Sequence, residues 1–582
     1  MIEVEQDQPR PRLTKLIVKN FRCIGRTPVE IELDDIVVLV GPNNVGKSYI
    51  LKAYQIVMSE GSKEGELSLD DFPNSKIDEH NLPEIELNTI VYDNSPGEEW
   101  IAVLDSGEKL VREKWTWSDV GKPTRRGFNV KEGRWANDTD KEKMPWGAAG
   151  IANARRPQPH RVGAFDAPEK QAEEIINILV SILTERVKTF KTESKEGEKS
   201  DYSILLENVK EIQKRIVTES NSEITRVQDE LTGFIERIFP GYGVRFDARP
   251  EDDIDKTISL FKANPQLRMG PRDGYMSAVA DQGSGARRTL LWTALRLISE
   301  SSHKTKAKYD ETARPHVLLL DEPEICLHPN AIRDACNVLY DLPSSGNWQV
   351  MVTTHSTCFI DMSRDNTSIV RVGIDTSGEV SGTTIFRPSK AQLAEDDKER
   401  LRLLNICDPY VTEFFFGGNT IIVEGDTEYT AFKYVIAQSP EKFKGIHIIR
   451  ARGKGTIVSL VKILNHFGTS YAVLHDSDQP THPGWPQNEK ILSAVQYTVA
   501  PVRLVAAVTS FEKAFFNEQM KADKPYDALI KIKENHNFFQ TVGLLLEALV
   551  DHSKPLPPNA IEWKSIEDLE CAYSQSQKAE GV

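Results

Sequence analysis

Residues 13–40, LTKLIVKNFRCIGRTPVEIELDDIVVLV, alternate apolar and polar positions and then run continuously apolar. That pattern predicts three short strands, the last feeding a glycine-rich loop. From about 85 to 135 the runs IELNTIVYD, WIAVLD and LVREKWTW, separated by turn residues, predict a sheet lobe. The period changes from Pro168 to Phe239. Leu205, Val209, Ile212 and Ile216, then Ile224, Val227, Leu231 and Phe234, recur at three- and four-residue steps, and KTESKEGEKS (191–200) reads as a solvated hairpin loop. The expectation is a helical insertion with an apolar seam, either a packed bundle or a dimerisation arm. Strand signals return after 245, where HVLLLDEP (316–323) and WQVMVTTHS (348–356) read as fully buried parallel strands. A polar, helical connector follows over 386–410. From Phe414 onward the apolar runs NTIIVEG, GIHIIRARG, YAVLHDSD and VRLVAAVTS alternate with helical stretches, the mark of a small parallel α/β domain.

At 582 residues the chain exceeds what one core organises, so two or three domains are expected. A hydrophobic fraction of 39% and a charged fraction of 27% fit an ordinary soluble protein. No apolar run approaches the ~20 residues of a membrane helix. The start, MIEVEQDQPRPR, lacks a signal-peptide pattern, so no membrane association and a cytoplasmic location are expected. Cys23, Cys326, Cys336, Cys358, Cys407 and Cys571 are too scattered for a zinc knuckle or a disulfide framework. The net charge of -15 disfavours coating nucleic acid with the whole surface, yet permits a local basic groove or acid-held metal ions. Arg125, Arg126, Arg155, Arg156, Arg287 and Arg288 are candidate DNA contacts.

GPNNVGKS (Gly41–Ser48) fits G-x-x-x-x-G-K-[ST] between a strand and a helix. Backbone donors around Gly41, Asn43, Asn44 and Gly46 suit phosphate oxygens, Lys47 suits the β- and γ-phosphates of ATP, and the Ser48 hydroxyl suits its Mg²⁺. Asp321 and Glu322 end an apolar strand, where the first can hold the ion and the second orient water. His355 closes the next strand and is placed to sense the γ-phosphate. Ser284 and Gly285, in DQGSGARRTLLWTAL, open a helix whose N-terminus favours an anion.

A second constellation is acidic. Glu424 ends a strand and Glu428 follows one helical turn later; Asp476 and Asp478 sit two apart at another strand end; TSFEKAF adds Ser510 and Glu512. Carboxylates crowded at one sheet edge repel one another unless cations intervene, and hard oxygen donors suit Mg²⁺ or Mn²⁺. A pair of ions about 4 Å apart can activate water and stabilise the leaving oxygen of a phosphodiester. Lys554, in DHSKPLPP, can add positive charge, with Lys564 nearby in EWKS.

The nucleotide set resembles the ABC-type ATPase heads of the RecF and SMC group, although DQGSG departs from the usual Leu-Ser-Gly-Gly-Gln. That resemblance implies head-to-head contact, an ATP-bound homodimer or a higher homo-oligomer, with Ser284 and Gly285 completing a second subunit's site. The acidic set, with ARGKG (451–455), resembles a Toprim domain. Joined in one chain, the two resemble the overcoming-lysogenisation-defect (OLD) nucleases, which include the nuclease subunit of Gabija-type phage defence.

The resemblance implies an α/β architecture: an ABC-type P-loop ATPase over 1–167 and 241–390, a helical, possibly dimerising insertion over 168–240, a connector over 391–413, and a Toprim nuclease domain over 414–582 with a small parallel sheet. It implies Glu424, Glu428, Asp476, Asp478, Ser510 and Glu512 as the site of two ions, and Lys554 as the catalytic lysine. Ser48 and Asp321 would hold the ion that accompanies ATP. The expected function is an ATP-regulated, metal-dependent DNA endonuclease of anti-phage defence. A UvrD-like helicase or a retron reverse transcriptase with its non-coding RNA is an implied partner. The alternative is a RecF-like repair ATPase or nucleotide sensor with an inactive Toprim domain. A topoisomerase or primase lacks support, because neither a tyrosine-bearing cleavage domain nor a zinc module is visible.

Overall fold

The computed structural model describes residues 11–163, 166–176, 275–304 and 315–580, interrupted at 328, 346–347, 376–377, 388–390, 392, 409, 497–499, 519 and 521–522, plus positions 204, 208, 211 and 268–269. The apolar seam expected between Leu205 and Phe234 lies outside the described residues. The chain forms two compact units, Met1–Phe165 with Ser299–Val582, and Asp166–Ile298. Among the described residues no helix is long and apolar enough to cross a membrane.

Among the described residues the first unit contains three sheets. Strands β1 (Arg12–Lys19), β2 (Val29–Glu32), β4 (Glu84–Val91), β5 (Ile101–Val103), β6 (Lys109–Thr116), β7 (Thr124–Asn129) and β8 (Arg134–Trp135) form an antiparallel sheet in the order β2-β1-β4-β6-β7-β8, with β5 on β6. Alternation works as the sequence predicts: Leu16, Val18, Ile85, Leu87 and Trp115 turn inward.

The second sheet holds β3 (Ile36–Val40), β9 (Gln158–Val162), β12 (His316–Asp321), β13 (Trp348–Thr353), β14 (Thr367–Ile374) and β15 (Val380–Phe386), ordered β15-β14-β3-β13-β12-β9. All its pairings are parallel except β14 with β15. Every residue of β3, β12 and β13 is buried, so continuous apolar runs replace alternation. The helix Lys47–Met58 shares one apolar core with both sheets through Leu51, Ile31, Leu39, Trp115 and Leu319.

After the connector helix Glu395–Cys407, the third sheet comprises β16 (Asn419–Val423), β17 (Ile446–Arg450), β18 (Tyr471–Asp476), β19 (Val502–Ala507) and β20 (Ala560–Glu562), ordered β17-β16-β18-β19-β20. Four strands are parallel, as expected; β20 adds an antiparallel edge that the sequence reading did not foresee. The helix Ser284–Lys304 opens in the second unit, and a short pair, β10 (Arg268–Met269) and β11 (Ser277–Ala278), precedes it.

The arginine pairs mostly depart from expectation. Arg125 and Arg156 are buried and converge on buried Glu113, which accepts from Arg156 Nη2 at 2.5 Å and Nε at 2.8 Å. Arg126 pairs with Asp138, while Arg287 and Arg288 are also buried. Arg155 alone of the six is exposed. A guanidinium bound in this way to a buried carboxylate has no freedom to meet a phosphate.

Candidate active site

β3 passes its carboxyl end into the phosphate loop. Gly41 has φ 138°, and a Cβ there would come within 2.0 Å of the Val372 carbonyl oxygen, so only glycine fits. Gly46, at φ 90°, begins the helix that carries Lys47 and Ser48. Lys47 Nζ donates to the carbonyls of Gly41 (3.0 Å) and Pro42 (2.7 Å) and lies 3.1 Å from His355 Nε2. Ser48 Oγ and Thr353 Oγ1 both donate to Asp321 Oδ1, at 2.8 and 2.6 Å. His355 Nε2 is 3.5 Å from Glu322 Oε1. Burial pushes the Lys47 ammonium down, against the pull of Glu322, Asp321 and Glu324. Burial and then Lys47 push His355 down, so a neutral imidazole accepts from the lysine.

Lys47, Ser48, Asp321, Glu322 and His355, with Thr353, therefore meet at the carboxyl ends of three adjacent strands. Asn43 and Asn44 are exposed on the loop. Ser284 is exposed at its helix start and Gly285 is partly buried, both in the second unit.

Sequence reasoning missed Glu324. Its Oε1 accepts from the His355 N–H (2.6 Å) and Thr354 Oγ1 (2.9 Å), while Oε2 is buried without a partner. Burial raises its pKa. The signal was a third acid in DEPE, two residues after Glu322.

In the third sheet, the ends of β16, β18 and β19 bring Glu424, Asp476 and the Ser510–Glu512 turn side by side. The Asp476 N–H donates to Glu424 Oε2 (3.1 Å), and Asp476 Oδ1 accepts from the Phe511 N–H (2.8 Å). Thr427 Oγ1 donates to Glu512 Oε1 (3.3 Å), which Lys524 Nζ also approaches at 3.1 Å. Ser510 caps the helix Phe511–Phe516 by accepting from the Lys513 N–H.

Glu428 and Glu512 are each only 4% exposed. Burial, then Glu424 and Glu512, raise Glu428 to about 8. Burial, then Glu428, Glu424 and Glu512, push Asp476 well above the carboxylate range. Burial also raises Glu424, against the pull of Lys454. Four carboxylates thus share one field, at a place where protonation or cations must relieve it.

Two expectations need correction. Extended-chain alternation does not carry Asp476 and Asp478 to one side, because β18 ends at Asp476 and Asp478 adopts φ 61°. Asp478 turns instead to Lys454 Nζ (2.5 Å) and His482 Nδ1 (3.3 Å). Lys454 also donates to Asn488 Oδ1 at 2.8 Å. Lys554 is exposed and paired with Glu547 at 2.7 Å rather than with the acidic set; Lys564 is exposed too. Buried beneath the site, His475 donates Nδ1–H to the Asp476 carbonyl and accepts from Trp563 Nε1–H at 3.1 Å, and burial drives its pKa down to about 3. Neither residue stood out in the sequence.

Among the described residues no three His, Cys, Asp or Glu side chains form a ready-made cation cage. The donors still fit hard divalent ions by chemistry: they are all oxygen, and their charges oppose one another until a cation or protons intervene.

Comparison with known proteins agrees with this division. The AAA ATPase domain family matches residues 12–144 and 160–360, more than half the chain. The overcoming lysogenization defect protein-like TOPRIM domain matches 415–478. The Old nuclease of Escherichia phage P2 is 23% identical over 608 aligned positions, covering 98% of this chain and 97% of that protein. The OLD nuclease of Thermus scotoductus is 23% identical across 82% of this chain and 83% of its own length. A solved Smc head bound to the C-winged helix domain of ScpA aligns with 66% of this chain and 100% of its own, at 15% identity and a TM-score of 0.36. An AAA-type ATPase domain followed by a Toprim domain is the class that fold and site define. Within that class the chain belongs to the OLD family of nucleases.

Proposed function

We propose that this chain is a divalent-metal-dependent DNA endonuclease whose cutting is regulated by ATP at the head, acting in defence against phage. The observation that carries the reading is the shared field of Glu424, Glu428, Asp476 and Glu512 at one sheet edge. Defence and a DNA substrate rest on the family resemblance.

In this reading Glu424, Glu428, Asp476, Ser510 and Glu512 hold Mg²⁺ or Mn²⁺, and Asp478 joins them only by releasing Lys454. Bound ions would supply an activated water and a counter-charge for the leaving oxygen. The chain's own residues prepare that site. The Asp476 N–H fixes the Glu424 carboxylate, the Phe511 N–H fixes Asp476, and His475 with Trp563 holds the backbone beneath them. Lys554 would supply positive charge to the phosphate by leaving Glu547, its partner in this structure, and Lys454 steadies Asp478. At the head, Lys47 and Ser48 bind the nucleotide phosphates and their ion with Asp321. Glu322 orients water, and His355 registers the γ-phosphate. Ser284 and Gly285 complete the nucleotide site of a second copy.

Nicking of supercoiled plasmid with Mg²⁺ or Mn²⁺, with and without a non-hydrolysable ATP analogue, tests this. Cutting is expected to vanish in Glu424→Ala and Asp476→Ala, and to persist in Lys47→Ala with its nucleotide response gone. Wild-type protein that cuts with neither metal would leave the RecF-like ATPase as the better account.

A further inference from the structure

Beside the acidic edge lies a groove of about 520 Å³, bounded by the connector helix Glu395–Cys407, the start of the helix Lys454–Phe467, and the segment His482–Lys490. Glu424 and Asp478 open into one end of it. The volume lies within the roughly 300–1,000 Å³ typical of ligand pockets.

Four basic side chains on the groove differ in how they are engaged. Lys454 is held by Asp478, and Lys462 by Asp397 at 2.6 Å. Arg400 and Lys490 are exposed and make no ion pair with any described carboxylate. Arg400 is nonetheless placed: its guanidinium lies against Gly455, where a Cβ would come within 2.7 Å of Nη1. Glycine at 455 therefore lets the arginine lie across the first turn of the helix, whose N–H groups favour an anion. In a chain of net charge -15, two exposed cations on one groove, neither in an ion pair with a described carboxylate, are available to an anionic ligand.

We propose that this groove holds the sugar–phosphate backbone of the DNA strand flanking the scissile bond, with Arg400 and Lys490 as its phosphate-binding residues. The proposal rests on the nuclease reading and adds to it. The connector helix, besides linking two domains, forms one wall of the substrate site. Phosphate contacts of this kind fix register without reading sequence.

The test is fluorescence anisotropy of a short labelled duplex and its single strand with the full chain in EDTA, repeated across salt concentrations, beside plasmid nicking with Mn²⁺. Arg400→Ala and Lys490→Ala are each expected to weaken binding several-fold to about tenfold, and to lower the salt slope by about one. Arg400→Lys should retain most of the slope. Lys444→Ala, which removes an exposed charge just before the amino end of β17, the strand whose carboxyl end leads to Lys454, should bind as wild type does. Unchanged affinity and slope in both alanine variants, while wild type still cuts, would overturn the groove and leave the nuclease reading standing. Wild type that neither binds nor cuts would overturn both.

Discussion

The His355 ring stacks on Phe416, with ring centres 6.2 Å apart and planes at 21°. His355 also touches Lys47 of the phosphate loop, and Phe416 ends the short helix Val411–Phe416 just before β16 and Glu424. Between Phe416 and β16 stand Gly417 and Gly418, at φ 120° and 98°; a Cβ at Gly418 would come within 2.3 Å of the Gly445 carbonyl oxygen. One short segment thus runs from the His355 ring at the phosphate loop to the strand that ends at Glu424. If ATP regulates cutting, Phe416→Ala should leave nucleotide-free nicking intact and bring the ratio of rates with and without an ATP analogue close to one. An unchanged ratio would remove this contact from the coupling.

Glu428 sets a pH dependence whose sign is opposite to that of a salt-bridged acid. Its folded pKa of about 8 lies above the ordinary carboxylate value of 4.5, so the folded chain holds more protons between those limits. Stability therefore falls as pH rises through that window, by up to about 1.4 kcal/mol for each unit of separation. Asp476 and Glu424 act in the same direction. In EDTA the melting temperature should drop from pH 5 to pH 8, a window given by about those two pKa values. Glu428→Gln should flatten the fall and raise the melting temperature at the alkaline end, and added Mn²⁺ should do likewise for wild type. A flat wild-type profile would mean the carboxylates are not coupled.

Much of this was legible in the chain because strand ends are easy to read. The buried runs of β12 and β13 located Asp321, Glu322 and His355, and those of β16 and β18 located Glu424 and Asp476. What escaped was whatever depended on a partner distant in sequence. Glu324 acquires its role from the His355 N–H, thirty-one residues on, and Trp563 from His475, eighty-eight residues back. Asp478 was misjudged because alternation presumes extended backbone, and the strand stops two residues earlier. The arginine pairs were misread because adjacency suggests a surface patch, whereas Glu113 draws Arg125 and Arg156 inward from separate segments.

Lys554 separates chemistry from stability. It is exposed, and its pairing with Glu547 is of the solvent-screened surface kind, which adds little to stability. Lys554→Ala should therefore melt with wild type, yet lose at least about tenfold in nicking rate if it meets the phosphate in the transition state. Lys454→Ala should lower both, since its ammonium holds Asp478 and Asn488 together. Full activity in Lys554→Ala would pass the catalytic charge to Lys454.

The buried cluster of Glu113, Arg125 and Arg156 yields a prediction about folding alone. Arg156 is fully buried, and its guanidinium also lies 4.9 Å from the Trp115 ring centre. Removing one partner of such a group strands the others without water, at a cost of about 3–5 kcal/mol. Glu113→Ala should therefore lower the denaturant midpoint far more than any single surface charge change. Because these guanidinium groups face the protein interior, the salt dependence of DNA binding by the folded fraction should stay at the wild-type value. A reduced slope in Glu113→Ala would return the two arginines to the nucleic-acid surface.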